Sequence, residues 1–494
     1  MNKRVVIIGG GIAGLSAGIY SQQNGFDTEI IEMNNLPGGQ CTAWDRKGYR
    51  FDYCLHWLVG TAKGPFHEIW KNTNVITDSV KIINNEIHTK IIDENGDEFI
   101  VYTNIDRWKN YLNTMAPEDT EAIKQMCNEM KKISSLEPFT NPPGMRSLSE
   151  ILHSVIKMSP ALYLMIKYRT KTLKDYFKTL NFKNEKLIHF FDALYGLEDF
   201  SAIAFLMILS WFNQNNAGYL IGGSLPMTIR MAEKFKALGG KLTLVNKVEK
   251  IIVLNDKATG VILSNGTQIN ADYVISAADG YSTIFKMLDG KFQTEQIKEA
   301  YTNWPVFIPI VQVSFGINKK IKSSIPNQTY IAKGKHIGQT ILEKGYSLMN
   351  YSFDSTMAPV EKTVIVMRFE SPWDLWKDFS NEEYLAEKKN IEKDALSILK
   401  EHVTEVEEYL EVIDIATPRT SVRYTGVWKG AYEGFLPTNK NIGKSINMTL
   451  PKLHNFYMCG QWLFPGGGLP PAAQSGKWAI QLICKKEQKK FASS

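Results

Sequence analysis

"RVVIIGGGIAGLSAGIYSQQNGFDTEIIE", residues Arg4 to Glu32, decides the fold. A basic pair, Lys3–Arg4, followed by a short apolar run has the outline of a secretory signal segment. Gly9, Gly10 and Gly11 would interrupt the continuous apolar helix that such a segment needs, so no cleavage is expected. As a nucleotide-binding unit the stretch is consistent throughout. Arg4 to Ile8 reads as a buried parallel strand. Gly9-x-Gly11-x-x-Gly14 follows, a helix runs to Asn24–Gly25, and a second strand, Thr28 to Ile31, ends in Glu32. Gly9 permits the tight turn, Gly11 lets backbone approach a pyrophosphate, and Gly14 lets helix and strand pack closely. The diphosphate is expected on the helix N-terminus, and Glu32 on a ribose diol. The neighbours Gly10, Ile12, Ala13 and Met33 belong to the same expected site.

The remaining composition excludes more than it identifies. A length of 494 residues suggests two or three domains, and a net charge of +6 is mild for that size. No zinc spacing or aromatic–basic motif accompanies the charge, so nucleic acid is not an expected partner. Cys41, Cys54, Cys127, Cys459 and Cys484 form no CxxC and no metal spacing; they read as reduced thiols of a cytoplasmic protein, and no metal is expected. No run approaches the ~18–20 apolar residues of a spanning helix. A second GxGxxG unit after a strand is missing. One dinucleotide is therefore expected, held permanently, which points to FAD rather than a shuttling nicotinamide.

Farther along, "TAWDRKGYRFDYC" reads as a hairpin turning at Lys47–Gly48. Residues 105 to 213 carry helical periodicity. Residues 218 to 279 read as a glycine turn, a helix ending at Gly239–Gly240 and four short strands. Residues 381 to 411 read as one charged helix. "FYMCG" reads as a strand reaching Gly460, and "PGGGLPPAAQSG" brings bare backbone to a ligand before a helix that starts near Ala472. The architecture expected is α/β: a Rossmann-type FAD-binding domain made of 1–70, 218–290 and 412–484. A mixed α+β substrate-binding cap comprises 71–217 and 291–411, and a basic tail covers 485–494.

The fingerprint, "PGGQC" at residues 37–41, "GYRFDYCLHW", "GGSLPMTIRMAEKFKALGGKL" and "LHNFYMCGQWLFPGGGLPPAAQSGKWA" together resemble the phytoene desaturase superfamily. That group includes carotenoid desaturases, carotenoid isomerases and retinol saturase-like reductases. The resemblance covers 1–60, 218–280 and 415–482. It implies flavin contacts from Gly38, Gly39 and Gln40, from Val248 and Ala277, and from Gly460, Gln461, Gly467, Gly468, Leu469 and Ala472. Two positions depart from the family pattern: Gln40 replaces a common arginine and Gln461 a common acid.

The resemblance implies desaturation, saturation or cis–trans isomerisation of an apolar polyene, isoprenoid or lipid-like substrate. A diffusible electron acceptor or donor such as oxygen, a quinone or a redox protein completes the cycle. Such chemistry is mostly the flavin's own, so catalytic residues are few. His56 and Trp57 are the first candidates; they read equally as a buried histidine beside a packing tryptophan. Tyr424, Trp428 and Tyr432 recur every four residues and read either as a wall of the substrate channel or as core. Asp192, Tyr195 and Glu198 are further candidates. "AIAFLMILSWF" (Ala202–Phe212) and the basic–apolar stretch Val155–Lys174 suggest peripheral contact with the inner membrane surface. A flavin amine oxidase and a non-enzymatic prenyl or lipid carrier are the alternatives.

Overall fold

Five parallel strands form the nucleotide half, in the spatial order Lys241–Thr243, Asp27–Ile31, Arg4–Ile8, Tyr273–Ser276 and Phe456–Met458. This is a computed structural model, and it describes residues 2–195, 198 and 200–493, with no side chain described for Tyr195. The sheet is covered on both faces, which is why its strands read as unbroken apolar runs. Val5 and Ile7 join a cluster with Leu15, Ile19, Met231 and Ile480. Val6 and Ile8 point the other way, to Val248, Ile251 and Val261. Burying such a side chain contributes about 1.5–3 kcal/mol. The helix Ile12–Gln23 lies between the sheet and the last helix, Leu469–Lys486. A Cβ on Gly14 would stand 1.9 Å from the Gly9 carbonyl oxygen, and one on Gly476 would stand 2.3 Å from that of Ala13. Side chains at either position would force these layers apart.

A seven-stranded sheet forms the second half. Its order is Leu410–Ala416, Ile310–Ile317, Thr363–Glu370, Gly345–Asn350, Asn327–Ile331, Ile87–Ile92 and Glu98–Tyr102. All neighbours are antiparallel except Asn327–Ile331 and Ile87–Ile92. The helix Asn381–His402 packs on it through Ile391, Ala395 and Ile398. Helices between Ile105 and Asn213 build a separate lobe whose centre is aromatic; Phe99 and Phe190 stack with centroids 5.0 Å apart.

Several expectations change. After its helix, the segment 218–279 holds five strands rather than four, because Lys241–Thr243 pairs as an edge strand beside Asp27–Ile31. The segment called a glycine turn begins with strand Ala217–Leu220. The charged helix ends at His402, and Leu410 already belongs to a strand. The last helix starts at Leu469, not near Ala472; Pro470 and Pro471 fit a first turn, where their missing N–H groups cost nothing. The apolar run Ala202–Phe212 is core of the helical lobe: Ile203, Phe205, Leu206 and Leu209 are buried. The neighbouring helix Leu148–Lys157 buries none of its residues. No helix among the described residues is long and apolar enough to cross a membrane, and none of them form a cluster able to hold a metal.

Candidate active site

Two cavities meet at a wall made by Gln40, Gln461, Gly468 and Leu469. The first opens over the C-terminal ends of the parallel strands. Gly9, Gly11, Ile12 and Ala13 line it from the first turn, and Glu32 and Met33 from the second strand. Gly38 and Gly39, Val248, Ala277, Gly460 and Ala472 complete the residues expected there. Three expected residues stand behind the lining. Gly10 N–H donates to Glu32 Oε2 at 2.7 Å, Gly14 is wedged against Gly9, and Gly467 packs on the Gln461 backbone.

Glu32 is 4% exposed and largely committed before any ligand arrives. Oε1 accepts from Asn34 N–H and from Asn34 Nδ2, both at 2.9 Å, and Oε2 accepts from Gly10 N–H. A carboxylate offers about four acceptor positions, so one on Oε2 remains for a ribose hydroxyl. Gly9 has φ +96, which only glycine adopts without strain. Gly11 differs. Its φ is −73, and a Cβ there would meet nothing closer than the Gly38 carbonyl oxygen at 3.8 Å. The chain's own packing does not require glycine at 11, and the bare backbone there leaves room for a ligand to lie against it. Helix Ile12–Gln23 begins with no side-chain cap and no acid in its first turn, as does helix Leu469–Lys486. Both uncapped ends border the cavity and turn positive dipole ends to it; the first also offers free backbone N–H groups, which Pro470 and Pro471 lack at the second. The residues therefore fit a dinucleotide carrying a diphosphate and an electron-accepting ring.

Sequence reasoning missed Asp279. It is 7% exposed and lines this cavity, accepting from Ser282 N–H at 2.8 Å and Trp428 N–H at 3.0 Å. Burial pushes its carboxyl up to about 6. It pins the segment around Trp428 to the nucleotide half.

The second cavity lies between the seven-stranded sheet, the hairpin Ala43–Asp52 and the helical lobe. Tyr53, Cys54 and His56 line it from the hairpin side, Arg368 and Glu370 from the strand Thr363–Glu370, and Tyr432 and Glu433 from the segment before the last strand. Arg368 follows the apolar run "VIVM" in its strand, and a charge set into such a run is the signal the sequence offers. Its Nε donates to Gln312 Oε1 at 2.9 Å and its Nη2 to the Asp52 carbonyl at 3.0 Å. Nη1 meets His56 Nε2. Asp52 accepts from Leu55 N–H and Ser224 Oγ and braces the hairpin. Desolvation within the cavity, then the Arg368 charge, then His88 hold the His56 imidazole well below its usual range, so it is neutral and accepts from Arg368.

The other candidates separate. Trp57 does not line the cavity; it packs on Phe212 with centroids 5.1 Å apart. Tyr424, Trp428 and Tyr432 do not form one wall, because their helix stops at Thr425 and Gly426 turns the chain with φ +66. Tyr424 is 52% exposed, Trp428 stacks on Tyr281 at 5.2 Å, and only Tyr432 reaches the cavity. Asp192 and Glu198 are at the surface, and the Tyr195 side chain lies outside the described residues. Cys41 and Cys54 continue the hairpin face to face; contact with the Cys54 thiol and burial push the Cys41 thiol well up. The two departures from the family pattern pair with each other: Gln461 Nε2 donates to Gln40 Oε1 at 3.1 Å, and Gln40 Nε2 donates to the Ala431 carbonyl at 3.2 Å.

The family model for flavin containing amine oxidoreductases matches residues 12–483. A 4,4'-diaponeurosporene oxygenase of Staphylococcus aureus (strain MW2) is 23% identical over 514 residues, covering 99% of each chain. A 4,4'-diapophytoene desaturase (4,4'-diapolycopene-forming) of Methylomonas sp is 23% identical over 510 residues, covering 99% of this chain and 96% of the relative. Among solved structures, an oxidoreductase from Methanosarcina mazei superposes with a TM-score of 0.61 at 16% identity, covering 97% of this chain and all of that one. Cyclohexylamine oxidase from Brevibacterium oxydans IH-35A superposes with a TM-score of 0.60 at 12% identity, covering 99% of this chain and all of that one.

Proposed function

The chain belongs to the flavin containing amine oxidoreductases and is an FAD-dependent oxidoreductase, and from that premise we propose that it desaturates carbon–carbon bonds of an apolar polyene or isoprenoid chain. The observation that carries this reading is the full-length likeness to relatives named for diapocarotenoid substrates. The amine oxidases share the fold at 12–14% identity, a likeness that speaks for the fold alone.

The FAD-binding part is taken as 1–70, 218–290 and the C-terminal segment, with the last boundary placed after Ala416. The strand Leu410–Ala416 hydrogen-bonds to Ile310–Ile317 and so belongs with the cap. The turn Gly9–Gly14 and Glu32 hold the adenosine diphosphate end. Gly38–Gly39 and Gly460–Gln461 hold the middle, and Gly468–Leu469 the ring end at the shared wall. When bound, FAD supplies a two-electron acceptor at the end of the substrate cavity. His56 and Arg368 brace the wall opposite, and Tyr432 with the strand residues excludes water from the reacting carbons.

One dinucleotide cavity leaves electrons to a diffusible acceptor: oxygen, a quinone or a redox protein. Anaerobic mixing of the oxidised holoenzyme with 4,4'-diapophytoene in vesicles should bleach the flavin, while NADH and NADPH leave it oxidised. Peroxide formed on adding amines, with no bleaching by polyene, would replace this reading by amine oxidation. A colourless purified protein would favour a carrier.

An apolar substrate arrives from a bilayer, and the helical lobe has a face for one. Leu148, Leu152, Ile156, Tyr163 and Ile166 are exposed beside Lys157, Lys167, Arg169 and Lys171. Apolar residues rimmed by lysines suit an anionic surface. Flotation with phosphatidylglycerol vesicles should succeed at low salt and weaken at high salt; failure at every salt concentration removes the membrane from this reading.

A further inference from the structure

We propose that Glu433 is the proton-transfer residue of the substrate cavity, its carboxylate taking the proton from the carbon next to the one that gives up hydride. The assignment rests on the desaturase reading. Glu433 is held where the two cavities meet. Its segment is fixed by backbone bonds: Phe307 N–H donates to the Gly434 carbonyl at 3.0 Å and Gly466 N–H to that of Phe435 at 2.8 Å. A Cβ on Gly468, the residue that caps the last helix at the shared wall, would stand 3.5 Å from Glu433 Oε1. The carboxylate therefore lies against the ring end of the FAD seat and faces the substrate cavity.

Its surroundings set it apart from the other enclosed carboxylates. Asp52, Glu32, Asp279 and Asp354 each accept at least two hydrogen bonds. No hydrogen bond or ion pair reaches the Glu433 carboxylate among the described residues. The cations near it are engaged elsewhere. Arg368 donates to Gln312, the Asp52 carbonyl and His56, and Lys344 pairs with Glu370 at 3.6 Å. Tyr432 beside it, His56 from the hairpin side and Glu370 from the strand Thr363–Glu370 supply no positive charge at neutral pH; Gln40 and Gln461 at the wall are neutral. Half-buried in the cavity and without a compensating partner among the described residues, the Glu433 carboxyl is pushed up to about 7 by desolvation. A group poised there takes a proton and gives it back with little driving force needed either way.

The step balances as a desaturation. One carbon loses hydride, which carries both electrons to FAD. The neighbouring carbon loses a proton to Glu433 Oε, and the pair of electrons left in that C–H bond becomes the new double bond. Glu433 then releases the proton to water, and the two electrons leave FAD for the diffusible acceptor.

Two measurements on the holoenzyme test the assignment. The first follows the absorbance of bound FAD against pH without substrate. The wild type should show a step near pH 7 that is absent from Glu433→Gln at equal flavin content. A step that persists in Glu433→Gln, or no step in the wild type, overturns the proposal. The second follows anaerobic bleaching by 4,4'-diapophytoene vesicles. Glu433→Gln should slow bleaching roughly 100- to 10,000-fold, with Glu433→Asp between it and wild type. Wild-type rates in Glu433→Gln overturn the proposal. A wild type that no polyene bleaches overturns the desaturase reading instead, and the absorbance step then decides alone whether Glu433 titrates beside FAD.

Discussion

Around the nucleotide cavity, Gly9, Gly11, Gly38 and Gly460 bring bare backbone to the surface, and the acids Glu32 and Asp279 already serve as acceptors for nearby N–H groups. Around the second cavity the lining includes the side chains of His56, Arg368, Tyr432 and Glu433, the last without a partner among the described residues. The first is a mould, shaped for one ligand by what is missing. The second is a set of chemical groups whose ionisation depends on burial. The contrast teaches that one cavity is fitted to receive a ligand against main chain, whereas the other offers side chains to whatever enters it.

The sharpest way to break the comparison is to put a side chain into the mould. Gly11→Val adds atoms where no protein atom stands within 3.8 Å of the Cβ position, so the chain should fold and purify while its flavin content falls to near zero. Full flavin content would show that the diphosphate lies elsewhere.

A smaller effect separates committed from uncommitted acids. The Asp279 carboxyl is raised to about 6 in the folded chain, above its ordinary value of 3.8. A raised acid stabilises the fold below its unfolded value, and this contribution is lost as pH rises through the folded value. Between pH 4 and pH 7 Asp279 should cost the holoenzyme up to about 3 kcal/mol. In urea unfolding at both ends of that window, Asp279→Asn should be less stable than wild type at the acid end, where one N–H loses its acceptor. Its relative stability should rise by about that amount on going to neutrality. A pH-independent difference would mean that Asp279 is not buried as described.

The mildest test is Glu32→Ala. It strands Gly10 N–H and removes a ribose acceptor, and should weaken FAD binding by about 1–3 kcal/mol, read as faster flavin loss on dilution. Loss as complete as in Gly11→Val would make Glu32, not the glycines, the main grip.

The same contrast explains what was legible in the sequence. The mould is written in local spacing: Gly9, Gly11, Gly14 and Glu32 lie within one strand–helix–strand unit, and each glycine answers a backbone requirement a reader can state. The substrate cavity joins Gln40, His56, Arg368 and Glu433 from across nearly the whole chain, and no local pattern announces such a meeting. Adjacency pairs Trp57 with His56, yet Trp57 packs on Phe212 while His56 lines the cavity. Tyr424, Trp428 and Tyr432 kept a helical interval, but Gly426 at φ +66 and Lys429 at φ +53 break the helix that interval assumed. The Gln40–Gln461 bond was invisible for a similar reason: two departures 421 positions apart explain each other only when seen side by side.

The strand order of the parallel sheet has a consequence for biosynthesis. Its five strands come from the start, the middle and the end of the chain, with Phe456–Met458 at one edge and helix Leu469–Lys486 closing over Ile12–Gln23. A growing polypeptide that has made residues 1–450 carries the fingerprint but neither Gly460 nor the residues at the ring end. Contacts this distant in sequence form slowly, because the loop must close before they stabilise anything. Flavin loading is therefore expected only once Phe456–Met458 and helix Leu469–Lys486 have joined the sheet, and a chain shortened before that helix should expose the apolar face of Ile12–Gln23 and be degraded, which pulse-chase of a truncated chain would check.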